Sequence, residues 1–294
     1  MATTRVFDDR LTHEQPALGL AAWCRDILRD PLSKDGLRAA PDGFTSSYGR
    51  HYPFLEGGIV DLRLLSDGCG LTSQNWLAGQ VAFEHFEKRE YDYLAERRSV
   101  ERVYEEVPII GRCLDVGGLD GRLRAFLAAD QEYLVADPFW AALSLPRSDA
   151  YRRAYPFADE PLNYVCAVAE HLPIASGCFD TVHVRSVLDH LFNPELALRE
   201  AFRVLRQNGA LIVGLDVLGG RHGRQPVKRA AKELVRTALV ASGLSRFADH
   251  HLWHPKYLQL CRLITECGFR IEHTHWQAGT DEQVCYILAI RQSA

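Results

Sequence analysis

The chain of 294 residues has no run of about 18 apolar residues, so no transmembrane helix is expected. Its eight cysteines (Cys24, Cys69, Cys113, Cys166, Cys178, Cys261, Cys267 and Cys285) include no C-x-x-C pair, which argues against a zinc site held by thiolates. Several lie inside apolar runs, where a small buried thiol is the ordinary role, and a reduced, cytoplasmic chain is expected. An excess of charge of one sign is also missing. The 34 Lys and Arg against 38 Asp and Glu leave a formal net charge of -4, and no nucleic-acid partner is expected. The opening stretch "MATTRVFDDRLTHEQ" mixes charges and has no apolar segment, unlike a secretory signal. Repeats and low-complexity tracts are absent as well. What is present is ordinary globular composition, 47% hydrophobic and 24% charged.

From about residue 105 onward, strand-like and helix-like segments alternate. "RCLDVG" (112–117), "YLVAD" (133–137), "NYVCAVA" (163–169), "DTVHVRS" (180–186) and "ALIVGLD" (210–216) are short apolar runs of the kind that suits parallel strands buried on both faces. Between the last two lies "NPELALREAFRVLRQNG". Asn193 and Pro194 should start a helix there, and Asn208-Gly209 should stop it. Such alternation implies right-handed crossovers and a doubly wound α/β sheet. Further on, 226–240 reads as an amphipathic helix with a solvated basic face, and "HPKYLQLCRLITECGF" as a helix closed by Gly268. "RIEHTHWQ" and "QVCYILAIR" read as a closing hairpin. The expected boundaries are a helical extension over 1–29, a small turn-rich β domain over 30–66, a helical linker over 67–107 and the sheet domain over 108–294.

The stretch "CLDVGGLDGRLRAFL" (113–127) carries the chemistry. An apolar strand ends near Asp115, and Gly117, Gly118 and Gly121 follow. Glycine tolerates a tight turn and admits a ligand close to the backbone, while a helix N-terminus beyond it offers unpaired N–H groups. Spacing alone leaves two readings open, a ligand cradle and a packed strand–helix turn. Asp137 ends the next strand, where a carboxylate can accept hydrogen bonds from ribose hydroxyls at the carboxyl edge of a parallel sheet.

With "DVGGLDG", "ADP", "AEHLPIASGCFD" and "RVLRQNG" occurring in this order, the chain resembles the class I S-adenosylmethionine-dependent methyltransferases, in particular those acting on quinones and small molecules. The resemblance implies a seven-stranded sheet with strand seven antiparallel and inserted beside strand six, and S-adenosylmethionine as cofactor. It implies that Asp115 and Gly117 lie by the methionine end, with Gly118 and Gly121 in the same turn. Asp137 would hold the ribose, Ala169 and Glu170 would border the adenine, and Arg185 and Ser186 would close the cleft. Two positions depart from the pattern: Leu119 replaces the middle glycine, and Val168 stands where many relatives have an aspartate.

On the acceptor side, "SVLDHLF" places Asp189 and His190 just past the fourth strand, and His190 is the candidate general base because imidazole titrates near neutrality. "ADHHLWHP" (248–255) adds Asp249, His250, His251 and His254, with His251 a further acceptor-side candidate. Pro255 speaks against a helix that would align His250 with His254, so no metal is expected. "HTHWQ" offers Trp276 and Gln277 as an aromatic wall. Enzymes that methylate amino groups of adenine or glutamine usually carry N/D-P-P-Y/F after strand four; here the chain reads "RSVLDH", which favours a small-molecule acceptor. Alternatives are a non-catalytic binding protein with a degenerate pocket and an RNA-modifying enzyme. The front segment "DPLSKDGL…YPFLEGGIVDL" resembles the zinc-ribbon-derived domain that activates some methyltransferases. Asp30 and Ser33 stand where its cysteines would be, so apolar contacts are expected to replace zinc.

Overall fold

The computed structural model describes residues 20–64, 92–144, 147–224, 235 and 251–293. Residues 1–19, most of the expected linker and all of the basic helix 226–240 except Val235 lie outside the described residues.

Eight strands form the main sheet. They are β4 (Val60–Asp61), β5 (Cys113–Val116), β6 (Tyr133–Ala136), β7 (Tyr164–Cys166), β8 (Phe179–Arg185), β9 (Leu205–Asp216), β10 (Phe269–Trp276) and β11 (Val284–Arg291), in the order β10-β11-β9-β8-β5-β6-β7-β4. Strands β5 through β9 and β4 run parallel, while β11 runs antiparallel between β9 and β10. Every residue of β5, β6 and β7 is buried, which is why these runs show no polar alternation. The Rossmann-like sheet of seven strands expected from the sequence is therefore present, with its antiparallel strand beside β10, and among the described residues an eighth strand, β4, is added at the opposite edge. After Gly57 and Gly58, both with positive φ, the chain turns so that Val60 and Asp61 pair with Val165 and Cys166. Two residues are too short a run to read from local pattern.

Before it, β1 (Arg38–Ala40), β2 (Gly43–Thr45) and β3 (His51–Pro53) make a three-stranded antiparallel sheet. Phe44, Tyr52, Val60 and Leu62 belong to the same apolar core as Leu134, Val165 and Ile174. The apolar contacts expected in place of zinc are present, and a polar hub accompanies them. Buried Asp30 accepts the N–H groups of Leu32 and Ser33, each at 2.9 Å, on Oδ1, and the Tyr52 hydroxyl at 2.8 Å on Oδ2. Lys34 Nζ then reaches Glu200 at 2.6 Å, tying the turn to the main domain.

Five α-helices are described: α1 (Ala22–Ile27), α2 (Tyr93–Glu106), α3 (Asp149–Ala154), α4 (Pro194–Val204) and α5 (Tyr257–Glu266). Asn193 caps α4 by accepting the N–H of Leu196 at 2.9 Å, as its sequence predicts. The helix ends at Val204 and not at Asn208-Gly209, because Leu205 pairs with Phe179 of β8 and the chain has already entered the sheet. Gly268, with φ +95°, follows α5, and a Cβ there would lie 2.8 Å from the Phe202 ring. No described helix is long and apolar enough to cross a membrane.

Candidate active site

β5 ends at Val116, and the glycine turn begins with Gly117 at φ +71°, whose N–H donates to the Ala136 carbonyl at 2.9 Å. The expected helix beyond the turn is a single 3-10 stretch, Arg122–Phe126, too short to offer much of a helix dipole. A Cβ at Gly117 would collide with Val187, one at Gly118 with the Asp115 carboxylate, and one at Gly121 would lie 2.9 Å from Leu162. The space left by these three glycines is thus used by the protein's own atoms, the packing role that spacing had left open.

Asp115 faces inward. Its Oδ1 meets His183 Nδ1 at 2.8 Å, its Oδ2 accepts the Tyr133 hydroxyl at 2.6 Å, and His183 Nε2 lies 3.0 Å from the Tyr104 hydroxyl. An ionised carboxylate only accepts, so Nδ1 of His183 carries a proton and a neutral ring accepts from Tyr104 at Nε2. Burial pushes the hydroxyls of Tyr104 and Tyr133 well up, keeping both protonated donors.

Asp137, just past the end of β6, is 1% exposed. Its Oδ1 accepts the Phe139 N–H at 2.7 Å and its Oδ2 accepts the Leu119 N–H at 2.9 Å. Burial pushes its carboxyl up to about 6, against the pull of these two N–H groups. Leu119, with φ +47°, adopts the left-handed conformation that a glycine would take without cost.

Farther along the same carboxyl edge, Ala169 is buried at the start of a short 3-10 turn, Ala169–His171. Beside it, burial raises the Glu170 carboxyl, while the backbone N–H groups of Asn193 and Phe192 pull it down, so this acid also braces the entry to α4. Ser186 has φ +52°, with its N–H on the Gly214 carbonyl at 2.8 Å. Arg185 lies 3.9 Å from Glu96 of α2. Burial works against its charge, but Tyr286, Tyr104 and Glu96 outweigh it and raise the guanidinium.

The three acceptor-side candidates meet. Asp189 is buried within the 3-10 turn Leu188–His190, and its carbonyl accepts the N–H groups of Leu252 and Trp253 at 2.7 and 3.1 Å. That contact brings His251 across. His190 Nε2 stands 3.9 Å from Asp189 Oδ1, His251 Nε2 stands 3.6 Å from Oδ2, and the two rings are 4.5 Å apart. Burial raises the Asp189 carboxyl and Asp216 adds to this, while His251 and His254 oppose it. Its Oδ1 is buried with no hydrogen-bond partner among the described residues. Trp276 packs at 5.1 Å against Tyr257, and Gln277 donates to Ser99 of α2, so both serve packing where the sequence suggested a wall.

Sequence reasoning missed the group beside the glycine turn. Arg122 sits 5.4, 5.3 and 5.9 Å from the ring centres of Tyr93, Tyr151 and Tyr155, and 3.2 Å from both Asp120 and Glu96. The only local signal was an arginine directly after Gly121; apart from Asp120, its partners lie on α2 and on α3 or just past its end, tens of residues away.

Residues 114–213 match the family model described as a methyltransferase domain. Over 52 residues the chain is 42% identical to the ubiquinone/menaquinone biosynthesis C-methyltransferase of Haemophilus ducreyi and 44% identical to the mitochondrial 2-methoxy-6-polyprenyl-1,4-benzoquinol methylase of Leishmania donovani. The match takes in 18% of this chain, with 20% and 18% of those two proteins, so it spans about a fifth of the curated relatives. Among solved structures, the chain is similar to a possible histamine N-methyltransferase of Thermotoga maritima, at 18% identity and TM-score 0.49 over 74% of this chain and 100% of that one. It is also similar to the 1,6-didemethyltoxoflavin N1-methyltransferase of Burkholderia thailandensis, at 13% identity and TM-score 0.48 over 74% and 88% of the two chains. The methyltransferase-domain match covers about a third of this chain and runs from β5 into β9.

Proposed function

We propose that this chain transfers a methyl group from S-adenosylmethionine to an oxygen, nitrogen or carbon atom of a small-molecule acceptor. The observation that carries the reading is one of position. Asp137, Asp189 and His190, all inside the methyltransferase-domain match, stand at the same carboxyl edge of the parallel strands, and His251, from beyond the match, joins Asp189 and His190 there.

The residues at that edge fit a nucleoside. Each oxygen of Asp137 accepts one backbone N–H, which leaves a second lone pair on each for a ribose hydroxyl. Because Asp137 is so deeply buried, a ribose reaches it only if the turn around Leu119 shifts. Gly117, Gly118 and Gly121 shape that turn from its floor, Asp115 braces it from below, and Ala169 and Glu170 border the base. The chemistry supplied by bound S-adenosylmethionine is an electrophilic methyl group on a sulfonium. The protein's part is to align the acceptor, exclude water and take up a proton when the acceptor is a hydroxyl. His190 takes that proton, and Asp189, between two imidazoles, positions the ring and offsets the charge it gains.

Calorimetric titration with S-adenosylhomocysteine, followed by a metabolite screen with labelled methyl donor, tests the reading. Binding that Asp137→Ala weakens by about 1–3 kcal/mol, the scale for a hydrogen bond to a charged group, supports it. Absence of binding at millimolar ligand overturns it. That result would favour a non-catalytic binding protein, a reading supported by the Leu119 N–H already lying on Asp137.

A further inference from the structure

Two groups of metal-ligating side chains converge among the described residues. One is the acceptor-side cluster. The other, Glu106 with His273 and His275, lies at the far edge of the sheet and has no part in the function proposed above. His273 and His275 are two apart on the edge strand β10, paired with Leu288 and Tyr286 of β11, so strand alternation puts both imidazoles on one face. Tyr286 contacts Tyr104 of α2 on that face, and the last residue of α2 is Glu106. Glu106 Oε2 lies 2.7 Å from His275 Nδ1 and 3.7 Å from His273 Nε2.

We propose that Glu106, His273 and His275 bind a zinc ion that clips the end of α2 to the edge strand β10.

Zinc takes imidazole nitrogens and carboxylate oxygens at about 2.0–2.2 Å in tetrahedral array, which sets neighbouring ligand atoms about 3.3–3.6 Å apart. The observed 2.7 and 3.7 Å lie on either side of that spacing, and all three ligand atoms fall within 4.8 Å of one another. Two neutral imidazoles and a carboxylate give the site one negative charge and a borderline-soft donor set, suited to zinc over magnesium or calcium. His273 and Glu106, about half exposed, give the ion its way in and leave room for water as a fourth ligand. The helix and strand are already aligned about two turns earlier in α2, where Gln277 Nε2 donates to the Ser99 hydroxyl at 3.1 Å. The ion would therefore find a frame set in advance.

The test is calorimetric titration of chelator-treated full-length protein with zinc chloride near neutral pH. The expected result is one zinc per chain at this site, weakened by His273→Ala and by Glu106→Gln by more than about tenfold, the lower bound for disturbing even an outer-shell partner. Both substitutions lie at exposed positions, and far-UV circular dichroism checks that the variants fold. Cobalt substitution supplies a second readout, a tetrahedral absorption band that both variants should lose. Asp189→Asn should leave this affinity unchanged. A second zinc lost only in Asp189→Asn, with the first intact, still supports the proposal. No zinc uptake, affinity unchanged in both His273→Ala and Glu106→Gln, or loss of the only zinc in Asp189→Asn overturns it.

Discussion

The backbone N–H of Leu119 donates to Asp137 Oδ2 at 2.9 Å, joining the ends of β5 and β6. A leucine in the left-handed region costs about 1–2 kcal/mol, and a hydrogen bond to a charged acceptor is of the size to hold it there. The same bond is one of two that buried Asp137 receives from the backbone among the described residues. Local strain and a destabilised acid therefore sustain each other at the centre of the candidate cofactor site.

That pairing makes stability depend on pH with a definite sign. Burial pushes the Asp137 carboxyl up to about 6, above its value in the unfolded chain. Between the two values the folded state holds more protons, so stability falls as pH rises through that window, and the cost is complete above it. Asp137→Asn removes the titration. Urea unfolding across about pH 4 to 7 should show the parent losing about 1–3 kcal/mol relative to the variant as pH rises. A difference that stays flat would mean that Asp137 titrates as an ordinary surface acid.

Asp115 calls for a stability test of its own. Removing its carboxylate strands the Tyr133 hydroxyl and His183 Nδ1 in the core. Asp115→Ala should cost roughly 3 kcal/mol or more of unfolding free energy, while Tyr104→Phe, at the outer end of the network, should cost about 1 kcal/mol. A variant of Asp115 that keeps its stability and loses only S-adenosylhomocysteine binding would assign the residue to the ligand and not to the core.

The parallel strands were legible because each is an uninterrupted apolar run, and the entry to α4 because Asn193-Pro194 is a local signal. Asp137, Asp189 and His190 could be expected at one edge because the ends of parallel strands share it, whereas the approach of His251 depends on the N–H groups of Leu252 and Trp253 reaching the Asp189 carbonyl, which no local pattern announces. What was not legible depends on partners distant in sequence. His183 engages Asp115 from 68 residues away, and Glu106 meets His275 across 169 residues. The pairing of Leu205 with Phe179 ended α4 early, and β4 is two residues long. The expected absence of a metal rested on cysteine spacing and Pro255, and neither bears on a His-x-His strand facing a helix end.

In the small domain, Asp30 occupies a position where the resemblance would put a zinc-binding cysteine. Burial alone would raise its carboxyl, but the N–H of Ser33, the Tyr52 hydroxyl and the N–H of Leu32 outweigh it and lower it. The stabilisation is accordingly present above the ordinary carboxylate range and lost as pH falls through the depressed value. Asp30→Ala removes three hydrogen bonds to a charged acceptor and should cost about 2–4 kcal/mol. Limited proteolysis should then cleave within 30–64 faster than in the parent at neutral pH. Equal cleavage rates would mean that the apolar contacts of Phe44 and Tyr52, the Lys34–Glu200 pair and the β4–β7 pairing hold the domain without Asp30.

His190 bears on the chemistry itself. Its ring stacks near His251 and stands 3.9 Å from a buried carboxylate oxygen of Asp189, just beyond β8. A general base contributes about a hundredfold to ten-thousandfold, so His190→Ala should lower turnover with a hydroxyl acceptor by that factor. S-adenosylhomocysteine affinity should stay nearly constant, since the residue faces the acceptor. Asp189→Asn should lower turnover while keeping His190 in place, separating positioning from proton transfer. An acceptor that arrives ionised, or a carbon nucleophile activated elsewhere, would leave His190→Ala with most of its activity. That result would remove the base assignment and leave methyl transfer standing. Joint loss of stability and cofactor binding would instead make His190 a packing residue, held by the same contacts that bring His251 to Asp189.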